Sequence, residues 1–496
     1  MTVKSNLQQQ STSEELNSLL TELKPRLLAY VEESDPKSSK YNPQSLGTFH
    51  EPKFLKQQFI DPNNDLNDAC SQQELFETID KVLKYSVNTW NPGFLDKLYA
   101  SNNPIGVVSD ILLSMLNTNS HVYTVSPVLS VLENYIGKKY AQLFFHTETC
   151  GGLTFSGGSW SNITSLQLAR SLKFPDTKTK GNGDYKFALY TSKHCHYSVE
   201  KAAILLGIGS ENVFKVDVDE DGVMDVSKLE AVIEETKSKG YTPLYINATA
   251  GTTVFGSYDP FMEISKIAKK HNIHFHIDGS WGGNVIFSEK YKDRLNGSQY
   301  ADSITVNPHK MLGIPNTCSF LLLPQVANFQ TAMSLKAPYL FHGRESGDDE
   351  NYDLADGTMG CGRRSDAFKF YLGWLYYGQK GFAERVDHAY SIMEYFVQKI
   401  KHDGSFEIVG PQSPQCLQVC FYYHPSTVKD KDNTTITRYI SRELHKLGKY
   451  LVDFSPNPVD DTQGEFFRVV FNSPALTTEI IDDLIASIVK VGKELE

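Results

Sequence analysis

The sequence predicts an α/β protein with a mostly parallel central sheet flanked by helices, an N-terminal helical segment and a small α+β C-terminal domain. Three observations predict it. From Gly151 onward, short apolar runs recur between Gly-rich turns, at 187–190, 213–218, 244–247, 274–278, 303–306 and 319–323. Helix-period patterns sit between several of them, over 160–173, 197–206 and 226–239. Strands alternating with helices pair in parallel and are covered on both faces. After Arg364 the style changes. A long helical pattern keeps Val386, Ala389, Tyr390, Met393, Phe396, Val397 and Ile400 in step, and strand candidates follow at 416–423 and 466–472.

The N-terminal part reads differently. Residues 13–33 form a helix with Leu16, Leu19, Leu20 and Leu23 on one face; residues 34–75, rich in Ser, Pro, Asn and Asp, read as an extended wrapping loop. Helical patterns cover 74–86 and 106–137. The division expected is an N-terminal segment over 1–110, a large domain over 111–375 and a small domain over 376–496.

Composition sets the class. The chain has 496 residues, 40% hydrophobic and 22% charged, ordinary for a globular protein with a large core. A net charge of −11, with no compensating Lys/Arg run, argues against a nucleic-acid partner. No run of apolar residues is long enough for a membrane span, and the N-terminus lacks an apolar signal core. Seven scattered cysteines with no C-x-x-C pair read as reduced thiols, so a cytoplasmic location is expected. No metal is expected.

The chemistry concentrates at the ends of the apolar runs. Lys310, in Asn307-Pro308-His309-Lys310, follows the run at 303–306, and Asp278 ends the run at 274–278. A lysine and an aspartate at two strand ends suit one task. The lysine holds pyridoxal 5′-phosphate as a Schiff base, and the aspartate pairs with the nitrogen of its ring. The cofactor also needs a group stacked on the ring and an anion cradle. His196, delivered by the run at 187–190, is the stacking candidate, with His194 as its rival. Gly157-Gly158-Ser159-Trp160-Ser161-Asn162 opens a helix, where free amides favour a phosphate; Ser159, Trp160 and Ser161 are its candidates. Thr249, in Asn247-Ala248-Thr249, offers a hydroxyl to the cofactor. Ser303, Asn307 and His309, on the way into Lys310, complete the cofactor set.

Together these motifs resemble the group II pyridoxal-phosphate-dependent amino-acid decarboxylases, and within them the branch acting on glutamate, cysteine sulfinate and aspartate. The resemblance runs from about Asn91 to the C-terminus. It rests on His196-Tyr197-Ser198, Asn247 to Thr253, Tyr258-Asp259-Pro260, His276 to Gly283, Ala301 to Lys310, Cys361-Gly362-Arg363 and Phe466-Phe467-Arg468. It implies the transferase-like fold type I of pyridoxal-phosphate enzymes, a homodimer with the active site at the interface, and α-decarboxylation of an L-amino acid, with an acidic substrate favoured. An aromatic or other amino acid, or a catalytically weak paralogue acting as a binding subunit, are the alternatives. It also implies that Arg468 binds the substrate α-carboxylate. A loop within Gly343 to Gly360 would carry Tyr352 to protonate the substrate carbon after CO2 leaves.

Some positions depart from the pattern. Many members have Ala at the position of Gly279, with its methyl against the cofactor ring, and Ala where this chain has Ser280. The acidic-substrate branch usually has Phe-Asn-Gln-Leu where this chain has Leu95-Asp96-Lys97-Leu98. It has an aromatic-Thr-Tyr-Glu stretch where this chain has His121-Val122-Tyr123-Thr124. Lys97 and His121 are the candidates to face an acidic substrate side chain.

Overall fold

Two sheets organise the chain, and the first strand joins the second of them. A computed structural model describes residues 11–60, 69–99, 102–335, 351–428 and 430–495. Strand β1 (Phe94–Leu95) pairs in parallel with a strand some 350 residues later, described below. The large sheet contains β2 (Gly151–Phe155), β3 (Phe187–Ser192), β4 (Val213–Val216), β5 (Thr242–Thr249), β6 (His274–Gly279), β7 (Ser303–Val306) and β8 (Ser319–Leu323). Their order is β2-β8-β7-β6-β5-β3-β4. Strands β3 to β7 are mutually parallel, and β8 runs antiparallel to both its neighbours. The central strands are buried on both faces, which is why they read as continuous apolar runs.

From β3 the chain steps outward to β4. It then re-enters on the other side at β5 and continues to β6 and β7. Such a reversal opens a crevice beyond the carboxyl ends of the strands. Helix Gly158–Lys173 covers one face of this sheet, its N-terminus at the same edge.

The small sheet has order β1-β11-β12-β10-β9, with β9 (Phe406–Ile408), β10 (Gln418–Tyr423), β11 (Leu451–Pro456) and β12 (Glu465–Val470). Helix Asn433–Lys446 packs on it, and helix Thr478–Lys493 packs on that helix. Helix Ala367–Lys401 connects the two sheets and breaks at Gly378, whose φ of 68° requires a residue without a Cβ.

Two predicted elements differ. The pattern over 106–137 is two helices, Pro104–Leu116 and Pro127–Ala141. Asn117 ends the first in the left-handed region at φ 43°, and Pro127 opens the second, where its missing N–H costs nothing. The stretch read as wrapping loop contains helix Pro52–Phe59, also opened by a proline; residues 61–68 of it lie outside the described residues. Among the described residues no helix is long and apolar enough to cross a membrane.

A buried ion pair fastens helix Pro127–Ala141 to the Cys361-Gly362-Arg363 segment. Glu133 is fully buried and pairs with Arg363. Glu133 Oε1 also accepts from the amide and hydroxyl of Thr154, both at 2.8 Å. Arg363 donates to the carbonyls of Ser120 (2.9 Å) and Thr154 (3.1 Å). Removing one partner strands a charge in the interior. Arg363→Ala is therefore expected to destabilise the fold by about 3–5 kcal/mol, measured by denaturant unfolding, whereas replacing both members with apolar residues recovers most of the loss.

Candidate active site

Each strand end at the crevice delivers one group. β7 leads through Asn307 and His309 to Lys310, β6 carries Asp278 as its next-to-last residue, β5 ends in Thr249, and the turn after β3 holds His196. Asp278 lies directly across from Thr249 on β5 and Thr305 on β7. Lys310, Asp278, His196, Thr249, Asn307, His309 and Ser159 share one cavity of about 220 Å³ with Gly158, Asn162, Tyr197, Thr253, Ser280 and Trp281.

Charge is organised inside it. Burial lowers the Lys310 amine from its ordinary value, opposed by Asp278 and reinforced by Arg468. A lysine shifted this way holds more of the free amine that attacks a carbonyl. Burial alone would raise the Asp278 carboxyl. His196, Ser280 and Lys310 oppose it and hold the group below the usual carboxylate range. Asp278 Oδ1 accepts from the Ser280 amide at 3.0 Å and Oδ2 from Asn162 Nδ2 at 2.8 Å. Burial also lowers His196. The Ser198 amide donates to His196 Nδ1 at 3.2 Å, which leaves the imidazole proton on Nε2.

The opening turn of helix Gly158–Lys173 provides the anion cradle. The amides of Trp160 and Ser161 are taken by Gly157 O at 3.0 and 3.2 Å. Those of Gly158 and Ser159 belong to the first turn, where no helical carbonyl reaches them. A Cβ on Gly158 would lie 2.5 Å from Ser280 Oγ and 2.7 Å from Asn307 Nδ2, so only glycine lets the helix end approach this closely. Three buried polar atoms of cavity residues, Thr249 Oγ1, Ser280 Oγ and Asn307 Oδ1, have no hydrogen-bond partner among the described residues. A buried lysine with a lowered amine, a held carboxylate, an open helix N-terminus and three unpaired polar atoms fit a phosphorylated pyridine aldehyde.

Other predicted residues lie elsewhere. Ser161 Oγ bonds Ser319 Oγ at 2.7 Å on the sheet side of the helix. Trp160 is half-exposed and lines a different cavity with Arg363 and Arg364. Ser303 Oγ sits 2.8 Å from both His274 Nε2 and His276 Nδ1, behind Asp278 and away from the cavity. Gly279 does not face the cavity: a Cβ there would point at Thr305 O, 3.0 Å away, and at Gly283 Cα. Ser280 occupies the cavity wall instead. Asp278 and Ser280 share a face and Gly279 takes the other, as strand alternation dictates.

Arg468, on β12, donates to Thr253 O at 2.6 Å and pairs with its cross-strand neighbour Asp453, which places it against the cavity wall at Thr253. Lys97 follows β1 and reaches the same Asp453 at 3.0 Å. Tyr352 and His121 stand together away from this cavity. Tyr352 packs on Tyr123 with ring centroids 5.7 Å apart, and the Ala355 amide donates to His121 O. Of the loop expected around Tyr352, residues 343–350 lie outside the described residues. Asn162, Ser280 and Gly158 stand in motifs named from the sequence but were given no individual role in the site. Their signal was spacing: Asn162 lies one helical turn beyond Gly158, and Ser280 two residues beyond Asp278.

The fold and the lysine–aspartate cavity define a class, the α/β enzymes that carry pyridoxal phosphate on a lysine at a sheet edge. Comparison with known proteins narrows it. Residues 52–424 match the pyridoxal-dependent decarboxylase conserved domain, and the chain belongs to that family. It is 46% identical over 449 residues to an L-aspartate decarboxylase of Metarhizium robertsii, covering 90% of this chain and 88% of that one. Among solved structures, mouse CSAD in apo form superposes with a TM-score of 0.89 at 29% identity, over 97% of this chain and 100% of that one. The glutamate decarboxylase domain of a Vibrio parahaemolyticus protein gives 0.80 at 25% identity, over 97% and 96%. The protein is a pyridoxal-phosphate-dependent decarboxylase of fold type I.

The close approach at Gly158 generates a prediction. Gly158→Ala forces Ser280 and Asn307 apart at the phosphate end, an overpacking cost of about 1–3 kcal/mol. Stability without cofactor, measured by denaturant unfolding, is expected to fall by that amount, and cofactor affinity, followed by its visible absorption on titration, by one to two powers of ten.

Proposed function

We propose that this decarboxylase removes the α-carboxyl group of an acidic L-amino acid, in a homodimer whose active site draws on both subunits. The observation that carries the reading is the placement of Lys310 and Asp278 on neighbouring strand ends around one cavity. In this reading Lys310 binds the cofactor aldehyde, Asp278 faces the ring nitrogen, His196 stacks on the ring, and Gly158 and Ser159 hold the phosphate through their amides. The bound cofactor supplies the electron sink. Thr249, Ser280, Asn307 and His309 complete its surroundings. Trp160, Ser161 and Ser303 do not touch it.

Arg468 holds the substrate α-carboxylate at the Thr253 side. Lys97, tethered through Asp453 to the same cluster, supplies a second cation within reach of an acidic side chain. The name of the 46% identical relative, an L-aspartate decarboxylase, points the same way. Seven free cysteines suit a reducing, cytoplasmic compartment.

Dimerisation is supported by an exposed apolar surface. Helices Pro104–Leu116 and Pro127–Ala141 both pack on helix Ala367–Lys401. Together they expose Val108, Ile111, Met115, Val128, Leu375 and Tyr376. A patch of this kind marks an interface. It lies beside the segment carrying Tyr352, so we assign Tyr352 and His121 to the site of the partner subunit, where Tyr352 returns a proton to the substrate carbon.

Two experiments test this. In CO2-release assays with aspartate, cysteine sulfinate, glutamate and aromatic amino acids, an acidic substrate is expected to show the highest kcat/KM, and Lys310→Ala to show none; preference for an aromatic substrate overturns the substrate assignment. Mixing Lys310→Ala with Tyr352→Phe subunits then tests the shared site. A heterodimer regains one site with an intact lysine and tyrosine, so partial activity is expected. Verified subunit exchange without recovered activity shows that both groups act in the same chain.

A further inference from the structure

Behind Asp278 a line of buried polar groups runs into the core. His274, His276 and Asp278 are alternate residues of β6 and therefore share one face, the one covered by helix Gly158–Lys173. Ser303 lies directly across from His276 on β7. Tyr245 stacks on both imidazoles, with interplanar angles of 4° and 22°.

The polarity of this line is fixed from one end. A carboxylate only accepts hydrogen bonds, so the end of Asn162 facing Asp278 Oδ2 at 2.8 Å is its NH2. Asn162 Oδ1 then faces His276 Nε2 at 3.1 Å, and that nitrogen must donate. Burial pushes His276 down to about 3, so the ring is neutral and its Nδ1 accepts. The proton it accepts is that of Ser303, 2.8 Å away. With its proton committed, Ser303 accepts from His274 Nε2 at 2.8 Å. Every donor in the series points toward Asp278, and an oriented chain of this kind strengthens its terminal bond.

We propose that Ser303 and His276 are positioning residues for the cofactor: through Asn162 they orient and polarise the hydrogen bond that Asp278 receives, and so keep a proton on the ring nitrogen that Asp278 faces. The inference rests on the assignment of Asp278 to that nitrogen. Neither Ser303 nor His276 lines the cavity, so their effect on the cofactor travels through Asn162 and Asp278.

The test uses holoenzyme reconstituted with pyridoxal phosphate labelled with 15N in the ring. It reads the ring-nitrogen resonance and the cofactor dissociation constant. Asp278→Asn is expected to move the resonance to its unprotonated position. Ser303→Ala is expected to move it part of the way and to raise the dissociation constant about tenfold, the equivalent of one hydrogen bond. Ser303→Thr, which keeps the hydroxyl, is expected to restore both. Should Ser303→Ala not yield folded enzyme, His276→Leu interrupts the same chain and is expected to shift the resonance likewise. A wild-type resonance in the folded interrupted variant, with Asp278→Asn shifted, overturns the relay alone. Equal shifts in Ser303→Ala and Ser303→Thr also overturn it, since packing then explains both. No shift in Asp278→Asn overturns the assignment of Asp278 and the relay with it.

Discussion

Keeping a carboxylate charged in a buried place is the constraint on which this structure turns. Asp278 is 4% exposed, and burial by itself favours its protonated form. The local sequence supplies what opposes that. The chain turns sharply after β6, so that the Ser280 amide folds back onto Asp278. Glycines make the turn possible. A Cβ on Gly282 would lie 2.3 Å from Tyr258 Oη and 2.7 Å from Ala250 O. Helix Gly158–Lys173 brings Asn162 down on the other oxygen, and the parallel neighbour β7 carries Lys310 to the same edge. Motifs that look separate in the sequence, at 157–162, 278–283 and 307–310, are thus parts of one solution to a solvation problem.

Legibility followed burial. Strands β7 and β8 were readable to the residue, because an apolar run buried on both faces and bounded by polar turns has few other uses. β2, with two glycines among its five residues, carried no such pattern; its pairing with β8 supplies what its composition lacks. β1 and β11 were equally silent, being a two-residue and a half-buried strand that exist through each other. In the site, groups at strand ends were legible from position alone. Groups on helix Gly158–Lys173 were not. Its cavity face holds Gly158, Ser159 and Asn162, while Ser161 turns to the sheet. A Gly-Ser-rich turn announces a helix start without saying which hydroxyl looks outward. Ser303 was misplaced for a related reason. On β7 its side chain joins the row beneath Asp278, not the cavity above it.

The proposed substrate side of the site has a different origin from the proposed cofactor side. The cavity groups come from the large sheet and the helix covering it, between Gly158 and Lys310. Arg468, Asp453 and Lys97 come from the small sheet, and Lys97 and Asp453 stand 356 residues apart in sequence. The parallel pairing of β1 with β11 brings them together, and Arg468 adds a bond to Asp96 O at 3.2 Å. No local pattern announces such a cluster. The pairing makes the position of Lys97 depend on the docking of the N-terminal segment.

The same division appears in the energetics. Thr249 Oγ1, Ser280 Oγ and Asn307 Oδ1 are buried without partners, and a buried polar group left unpaired costs about 1–3 kcal/mol. An interior assembled only for stability would fill these positions with apolar side chains, as the surrounding core does with Ile277, Ile304 and Val306. Around Lys310 the three unpaired atoms leave polar places with which a bound ligand can pair. A ligand that pairs with them recovers the cost and binds only the folded chain, so cofactor binding and folding are linked through these three atoms. The polar row behind Asp278 is the counterpart of this arrangement. There the groups satisfy one another, which lets the row stay fixed while the cavity above it is filled or emptied.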